Sequence, residues 1–160
     1  MTFIETYKIN PTLCDDLINY FKNNTEYKQA GLSQTYKVDK SIKDSTDVIF
    51  FNHSSHKTIR WFFEELSECV SSYMSKYEVQ GYLTTQVSNN IQYYQPGGGY
   101  PHLHYERDID GCSNRQLVYM LYLNTLIDKG GTHFPYQNVT TSAVKGDLII
   151  WPAEFTHPHK

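Results

Sequence analysis

A chain of 160 residues, 39% of them hydrophobic, has room for one hydrophobic core and little for a second. An aromatic content of 15% argues against disorder, and 14 basic against 17 acidic residues leave no cationic excess for a nucleic-acid backbone. No run approaches the ~20 apolar residues of a membrane span, and the N-terminus carries no charged-then-apolar signal pattern. A soluble protein is therefore expected, in the cytoplasm (a host cytoplasm if the source is viral). Cys14, Cys69 and Cys112 are scattered and odd in number, which suits reduced structural thiols better than a disulfide framework or a zinc knuckle.

Taken in chain order, the first half reads as helical support. Asn10 before Pro11 has the form of an N-cap followed by a first-turn proline, and Leu13, Leu17, Tyr20 and Phe21 then share one helical face. A stronger helix is predicted from Ser55 to Tyr77, with Ile59, Phe62, Phe63, Leu66, Val70, Tyr73, Met74 and Tyr77 at helical spacing. That aromatic stripe is a core-packing face. From Gly81 onward the chain changes character: eight of nine glycines and five of six prolines lie in the second half. Leu83–Tyr94, Gln116–Leu123 and Asp147–Trp151 are β-prone. Turns at Pro96-Gly97-Gly98-Gly99, Asp110-Gly111, Gly130-Gly131 and Lys145-Gly146-Asp147 divide them. This rhythm suits an antiparallel sandwich or jelly roll, mainly β with N-terminal helices packed on one sheet. No linker interrupts it, so residues 1–160 are expected to form a single domain. Residues 1–80 would supply the helices and early strands, and 81–160 the jelly-roll core.

The chemistry is concentrated around His104 and Glu106. Two apart on an extended segment, they project to one face and offer an imidazole and a carboxylate to a divalent metal. A third ligand must come from elsewhere, and the C-terminal run offers His157 and His159. Two histidines and one carboxylate on one face of a metal leave coordination positions open, as non-haem Fe(II) oxygenases require. On its own the His-x-Glu pair has a plainer reading, a surface histidine beside an exposed glutamate. A zinc hydrolase would accept the same three ligands.

The wider pattern resembles the 2-oxoglutarate- and Fe(II)-dependent dioxygenases, in their prolyl-4-hydroxylase-like, phage-type branch. The matching residues are Gln92-x-Tyr94-x-Pro-Gly-Gly-Gly-Tyr100, His104-x-Glu106, Tyr122-Leu-Asn124 and Gly130-Gly-Thr-His-Phe-Pro135. Lys145-Gly-Asp-Leu-Ile-Ile-Trp-Pro152, Thr156-His-Pro-His-Lys160 and the upstream Lys40–Asp47 run complete the set. The resemblance covers most of residues 38–160 and implies a double-stranded β-helix.

It also implies Fe(II), 2-oxoglutarate as cosubstrate, an accessory role for ascorbate, and hydroxylation of an unactivated C–H bond. A peptidyl proline would be the leading substrate, with a small molecule or nucleotide as the variant. His104, Glu106 and His159 would be the metal ligands, Glu106 standing where many relatives carry Asp. His159 is preferred over His157 because it precedes a basic residue as the distal histidine does in similar sequences. His157 would then lie behind the ligands or face solvent. Tyr94 would contact a 2-oxoglutarate carboxylate, its other reading being a core aromatic. Tyr100, Tyr105 and Trp151 would line the substrate mouth, and Tyr105, Tyr122, Phe134 and Trp151 an apolar aromatic shell. His53, His56 and His133 are read as ordinary histidines.

One departure stands out. The far carboxylate of 2-oxoglutarate needs a cation, since burying it unpaired is costly. In relatives that residue follows the distal histidine, whereas here the chain stops at Lys160. Of Arg60, Arg107 and Arg115, Arg115 is the best internal substitute, its plainer reading being a surface residue. A missing C-terminal stretch is the simpler expectation. A jelly-roll module that binds metal without turnover is the competing function.

Overall fold

The anchor of the C-terminal half is a strand that the sequence writes as an apolar run after a Gly-Asp turn. In the computed structural model, which describes residues 1–33, 37–107 and 112–160, this strand spans Asp147–Pro152. Ile149 and Trp151 point to one face and Leu148 and Ile150 to the other, and all four are 2% exposed or less. Gly146 precedes it at φ +88°, a conformation that a side chain would strain.

In chain order the elements are β1 (Glu5–Lys8), α1 (Pro11–Asn23), β2 (Lys28–Ala30), β3 (Thr46–Phe51) and α2 (Lys57–Lys76). They continue with β4 (Ser88–Tyr93), β5 (Leu117–Leu121), β6 (His133–Phe134), β7 (Val139–Thr140) and β8 (Asp147–Pro152). The chain divides into two units, Met1–Cys14 with His102–Lys160, and Asp15–Pro101.

In the first unit β8 is central, antiparallel to both β1 and β5, with Glu5 opposite Ile150 and Val118 opposite Trp151. A second hydrogen-bonded array is assembled from short pieces. His104 exchanges both main-chain bonds with His159, Lys160 does the same with His133, and β6 pairs with β7. Gly131 permits this array, because a Cβ there would stand 1.8 Å from the Thr141 carbonyl oxygen. Phe134 from the second array packs with Ile149 and Trp151 from β8, and Ile4, Val118, Met120, Tyr122 and Val139 close around them. Burying each large side chain in this cluster contributes roughly 1.5–3 kcal/mol.

The second unit has the antiparallel order β2-β3-β4. Phe50 of β3 lies 5.9 Å from the rings of both Phe62 and Phe63 on α2. The helical face expected from the sequence is the buried one: Ile59, Phe62, Leu66 and Tyr73 are buried, joined by Cys69. Asn10 does cap α1, its Oδ1 accepting the Thr12 N–H at 3.0 Å.

One expectation needs correction. The strand expected over Leu83–Tyr94 is shorter, Ser88–Tyr93, because its partner β3 ends at Phe51, opposite Ser88. Before Ser88 the pairing gives way to bonds from Asn52, its N–H to the Val87 carbonyl at 3.0 Å and its side chain to Thr85. β1, β2 and β3 lie in residues 1–80, where helices and early strands are expected. The Asp110-Gly111 turn lies outside the described residues. No helix among the described residues is long and apolar enough to cross a membrane.

Candidate metal centre

His104 and Glu106 sit on an extended segment held at two points. The reciprocal bonds between His104 and His159 (3.0 and 2.8 Å) fix one, and the Arg107 N–H donating to the Ala153 carbonyl at 2.9 Å fixes the other. Between them the side chains alternate: Leu103 and Tyr105 are exposed, His104 is buried and Glu106 is half-buried. The period of two expected from the sequence is therefore realised without a continuous ladder. The same bridge delivers His159, so a pairing between residues 55 positions apart in sequence completes the set.

One ligand atom from each of His104, Glu106 and His159 lies within 4.8 Å of the others. Both Nε2 atoms face the same carboxylate oxygen, Glu106 Oε1, at 3.5 Å from His104 and 3.8 Å from His159. The opposite ring nitrogens are committed. His104 Nδ1 lies 2.8 Å from the His102 carbonyl oxygen and His159 Nδ1 lies 3.1 Å from that of His157. A carbonyl can only accept, so each Nδ1 carries a hydrogen, and each ring turns its Nε2 inward toward Glu106. Two imidazole nitrogens and a carboxylate oxygen are a donor set that suits Fe(II) and equally Zn(II) or Mn(II).

Electrostatics act on two of the donors, His159 and Glu106. Burial pushes the His159 imidazole below its ordinary 6.5, and nearby His104 pushes it the same way. Burial alone would raise the Glu106 carboxyl. The hydrogen bond and charge of His104, with the charges of Arg115 and His159, more than offset that and leave it lowered. A neutral imidazole beside an ionised carboxylate is what a metal needs.

The aromatic surroundings are those of a water-poor site. The His159 ring lies 5.0 Å from Trp151 and 5.5 Å from Phe134, which themselves meet edge to face at 5.3 Å. Trp151, expected at the substrate mouth, is 2% exposed and belongs to this cluster. Its Nε1–H is buried and has no hydrogen-bond partner among the described residues. Tyr105 is 37% exposed. Tyr122 packs on the same core, and its hydroxyl lies 2.9 Å from those of both Thr132 and Thr141, a hydroxyl group of three that no local motif signals.

His157 is buried with both nitrogens engaged, Nε2 at 2.9 Å from the Thr2 carbonyl oxygen and Nδ1 at 2.9 Å from Thr156 Oγ1. It stands behind His159, whose Nδ1–H its carbonyl accepts. Arg115, expected to meet a cosubstrate carboxylate, donates to Glu106 Oε2 at 2.7 Å and to the Glu106 carbonyl at 3.2 Å. Tyr94 and Tyr100 belong to the Asp15–Pro101 unit. There the Tyr94 hydroxyl donates to Gln92 Oε1 at 2.9 Å, and Lys43 Nζ lies 6.0 Å from the Tyr100 ring centroid. His53 is stacked on Phe51, His56 caps α2, and His133 Nδ1 lies 2.9 Å from Thr140 Oγ1.

No family model matches the sequence, and no curated protein sequence matches it either. Solved structures do match. A prolyl-4-hydroxylase from Pseudomonas putida superposes with TM-score 0.75 at 15% identity, over 99% of this chain and 84% of that one. The viral collagen prolyl hydroxylase of Paramecium bursaria Chlorella virus-1, as its 2OG complex, gives 0.70 at 20% identity, covering 99% and 86%. A Trichoplax adhaerens prolyl hydroxylase in complex with a hypoxia inducible factor peptide fragment gives 0.72 at 18%, covering 99% and 76%. The class is thus defined by fold. The chain has the fold of the prolyl-4-hydroxylases, the resemblance that its motifs carry, and a His-Glu-His group stands within it.

Proposed function

We propose that this chain is an Fe(II)- and 2-oxoglutarate-dependent dioxygenase, built on a double-stranded β-helix, that hydroxylates a C–H bond of a peptidyl proline. The observation that carries this reading is the convergence of His104 Nε2, His159 Nε2 and Glu106 Oε1 on a fold shared with prolyl hydroxylases. Three protein donors leave open coordination positions, which a chelating cosubstrate and dioxygen require. Bound iron with 2-oxoglutarate would supply the oxidising chemistry, and the protein would supply binding, orientation and protection.

The residues fit those tasks. His104 and His159 are buried, each with Nδ1 held against a main-chain carbonyl so that Nε2 faces Glu106. Glu106 brings the negative charge that favours a divalent cation over a neutral donor set. Phe134 and Trp151 would exclude water beside His159. A peptide substrate is favoured by the relative that is described in complex with a peptide fragment.

The test is coupled turnover. Protein supplied with Fe(II), 2-oxoglutarate, oxygen and a proline-containing peptide should release succinate in step with hydroxyproline. Succinate released with a small molecule or nucleotide, and not with peptide, would reassign the substrate. Binding of metal and cosubstrate without any succinate would leave a metal-binding module.

A further inference from the structure

A glutamate is a less determinate metal ligand than an aspartate. Its extra methylene adds a rotatable bond, so either oxygen, or both, can reach a cation. Here that freedom is removed. One terminal nitrogen of Arg115 donates to Oε2 of Glu106 at 2.7 Å and to the main-chain oxygen of the same residue at 3.2 Å. The other carboxylate oxygen, Oε1, is the one that faces both imidazoles. Arg115 is itself anchored, its N–H donating to the Cys112 carbonyl at 3.0 Å as the chain enters β5.

We propose that Arg115 is a positioning residue that makes Glu106 a one-oxygen ligand, by holding Oε2 and the backbone of the same residue while Oε1 points to the histidines. The inference rests on the metal-centre reading above. A planar guanidinium fixes the direction of its donors, whereas an ammonium on a flexible stem does not. The charge of Arg115 acts the other way, since a nearby cation repels a bound metal. Charge and direction can therefore be separated by substitution. Arg115→Lys keeps the charge and loses the direction; Arg115→Met loses both.

Mn(II), which is stable in air, serves as probe, with its affinity read by calorimetry and its ligand field by electron paramagnetic resonance. Arg115→Lys should weaken Mn(II) binding about 10-fold or more, in line with other residues that orient metal ligands, and should weaken it at least as much as Arg115→Met. The resonance should broaden as a second Glu106 oxygen becomes available, while the melting temperature of the metal-free protein stays close to wild type. In a Glu106→Asp background the shorter side chain cannot keep the same contact, and Arg115→Lys should then change affinity less than about threefold. Equal Mn(II) affinity in wild type and Arg115→Lys, or the same loss in both backgrounds, overturns the assignment of Arg115 alone. A wild-type protein that takes up no Mn(II) overturns the metal centre itself, and this inference with it.

Discussion

Two buried polar clusters in this chain invite comparison. In the Asp15–Pro101 unit, Lys43 and Asp47 form an ion pair at 2.9 Å with side chains only 5% and 3% exposed, and Ser45 Oγ donates to the second Asp47 oxygen at 2.7 Å. Both carboxylate oxygens are engaged, and the cluster is electrically closed. In the other unit, His104, Glu106 and His159 are buried or half-buried. Their backs are tied down, and Nε2 of His104 and of His159 lie 3.5 and 3.8 Å from Glu106 Oε1, looser than the contacts of the first cluster. One cluster pairs a cation with an anion at contact distance; the other gathers two imidazoles and a carboxylate, one ligand atom from each, within 4.8 Å. The difference separates a structural ion pair from a binding site better than burial does.

Breaking the closed cluster should have the larger effect on folding. Asp47→Ala leaves the Lys43 ammonium buried without a counter-charge and should cost about 3–5 kcal/mol in urea denaturation, with or without metal. A loss below about 1 kcal/mol would match an exposed pair and contradict this packing. Replacing both partners, Lys43→Met with Asp47→Leu, should recover most of the loss.

Breaking the open cluster should instead remove a response to metal. With Mn(II) at about 100 times its Kd, wild-type protein should gain about 2.7 kcal/mol of stability. His104→Ala and Glu106→Ala should each abolish that gain. His157→Ala should lower the metal-free stability by about 1–3 kcal/mol, since it removes a buried imidazole and its bonds to the Thr2 carbonyl and Thr156, yet keep the metal-dependent gain. The reverse pattern for His157 and His159 would exchange their roles.

A smaller effect lies in pH. His159 has its folded-state pKa below the ordinary 6.5, so between those two values the unfolded chain binds a proton that the folded chain refuses. Metal-free stability should therefore fall as pH drops below about 6.5. It should fall again as pH drops below the ordinary carboxyl value of 4.5, until Glu106, lowered in the folded state, takes up its own proton. His159→Gln should flatten the first limb and leave the second, as measured by denaturation across pH.

The two clusters also differ in how far the sequence discloses them. His104 and Glu106 are legible because a spacing of two needs only an extended backbone to bring them to one face. His159 is not legible from spacing; its place depends on a bridge between segments 55 residues apart, and only the resemblance to known motifs selects it over His157. The β8 strand and the buried face of α2 follow from apolar pattern, which core burial enforces. The extent of β4 does not, because its start is set by where β3 ends. The same holds for side-chain partners: Arg115 reads as a surface residue or a cosubstrate contact, and whether it reaches Glu106 depends on the path of the chain between them. The apolar pattern around Trp151 places it in a strand, but only the packed core shows it beside His159, its N–H unpaired among the described residues.

The most direct measurement is binding of 2-oxoglutarate by calorimetry, with Mn(II) present and absent. If the three donors hold a metal that in turn holds the cosubstrate, 2-oxoglutarate should bind with Mn(II), fail to bind without it, and fail in Glu106→Ala under both conditions. Binding that is indifferent to the metal, or absent from metal-loaded wild-type protein, would contradict the assignment of this site to a 2-oxoglutarate-dependent dioxygenase.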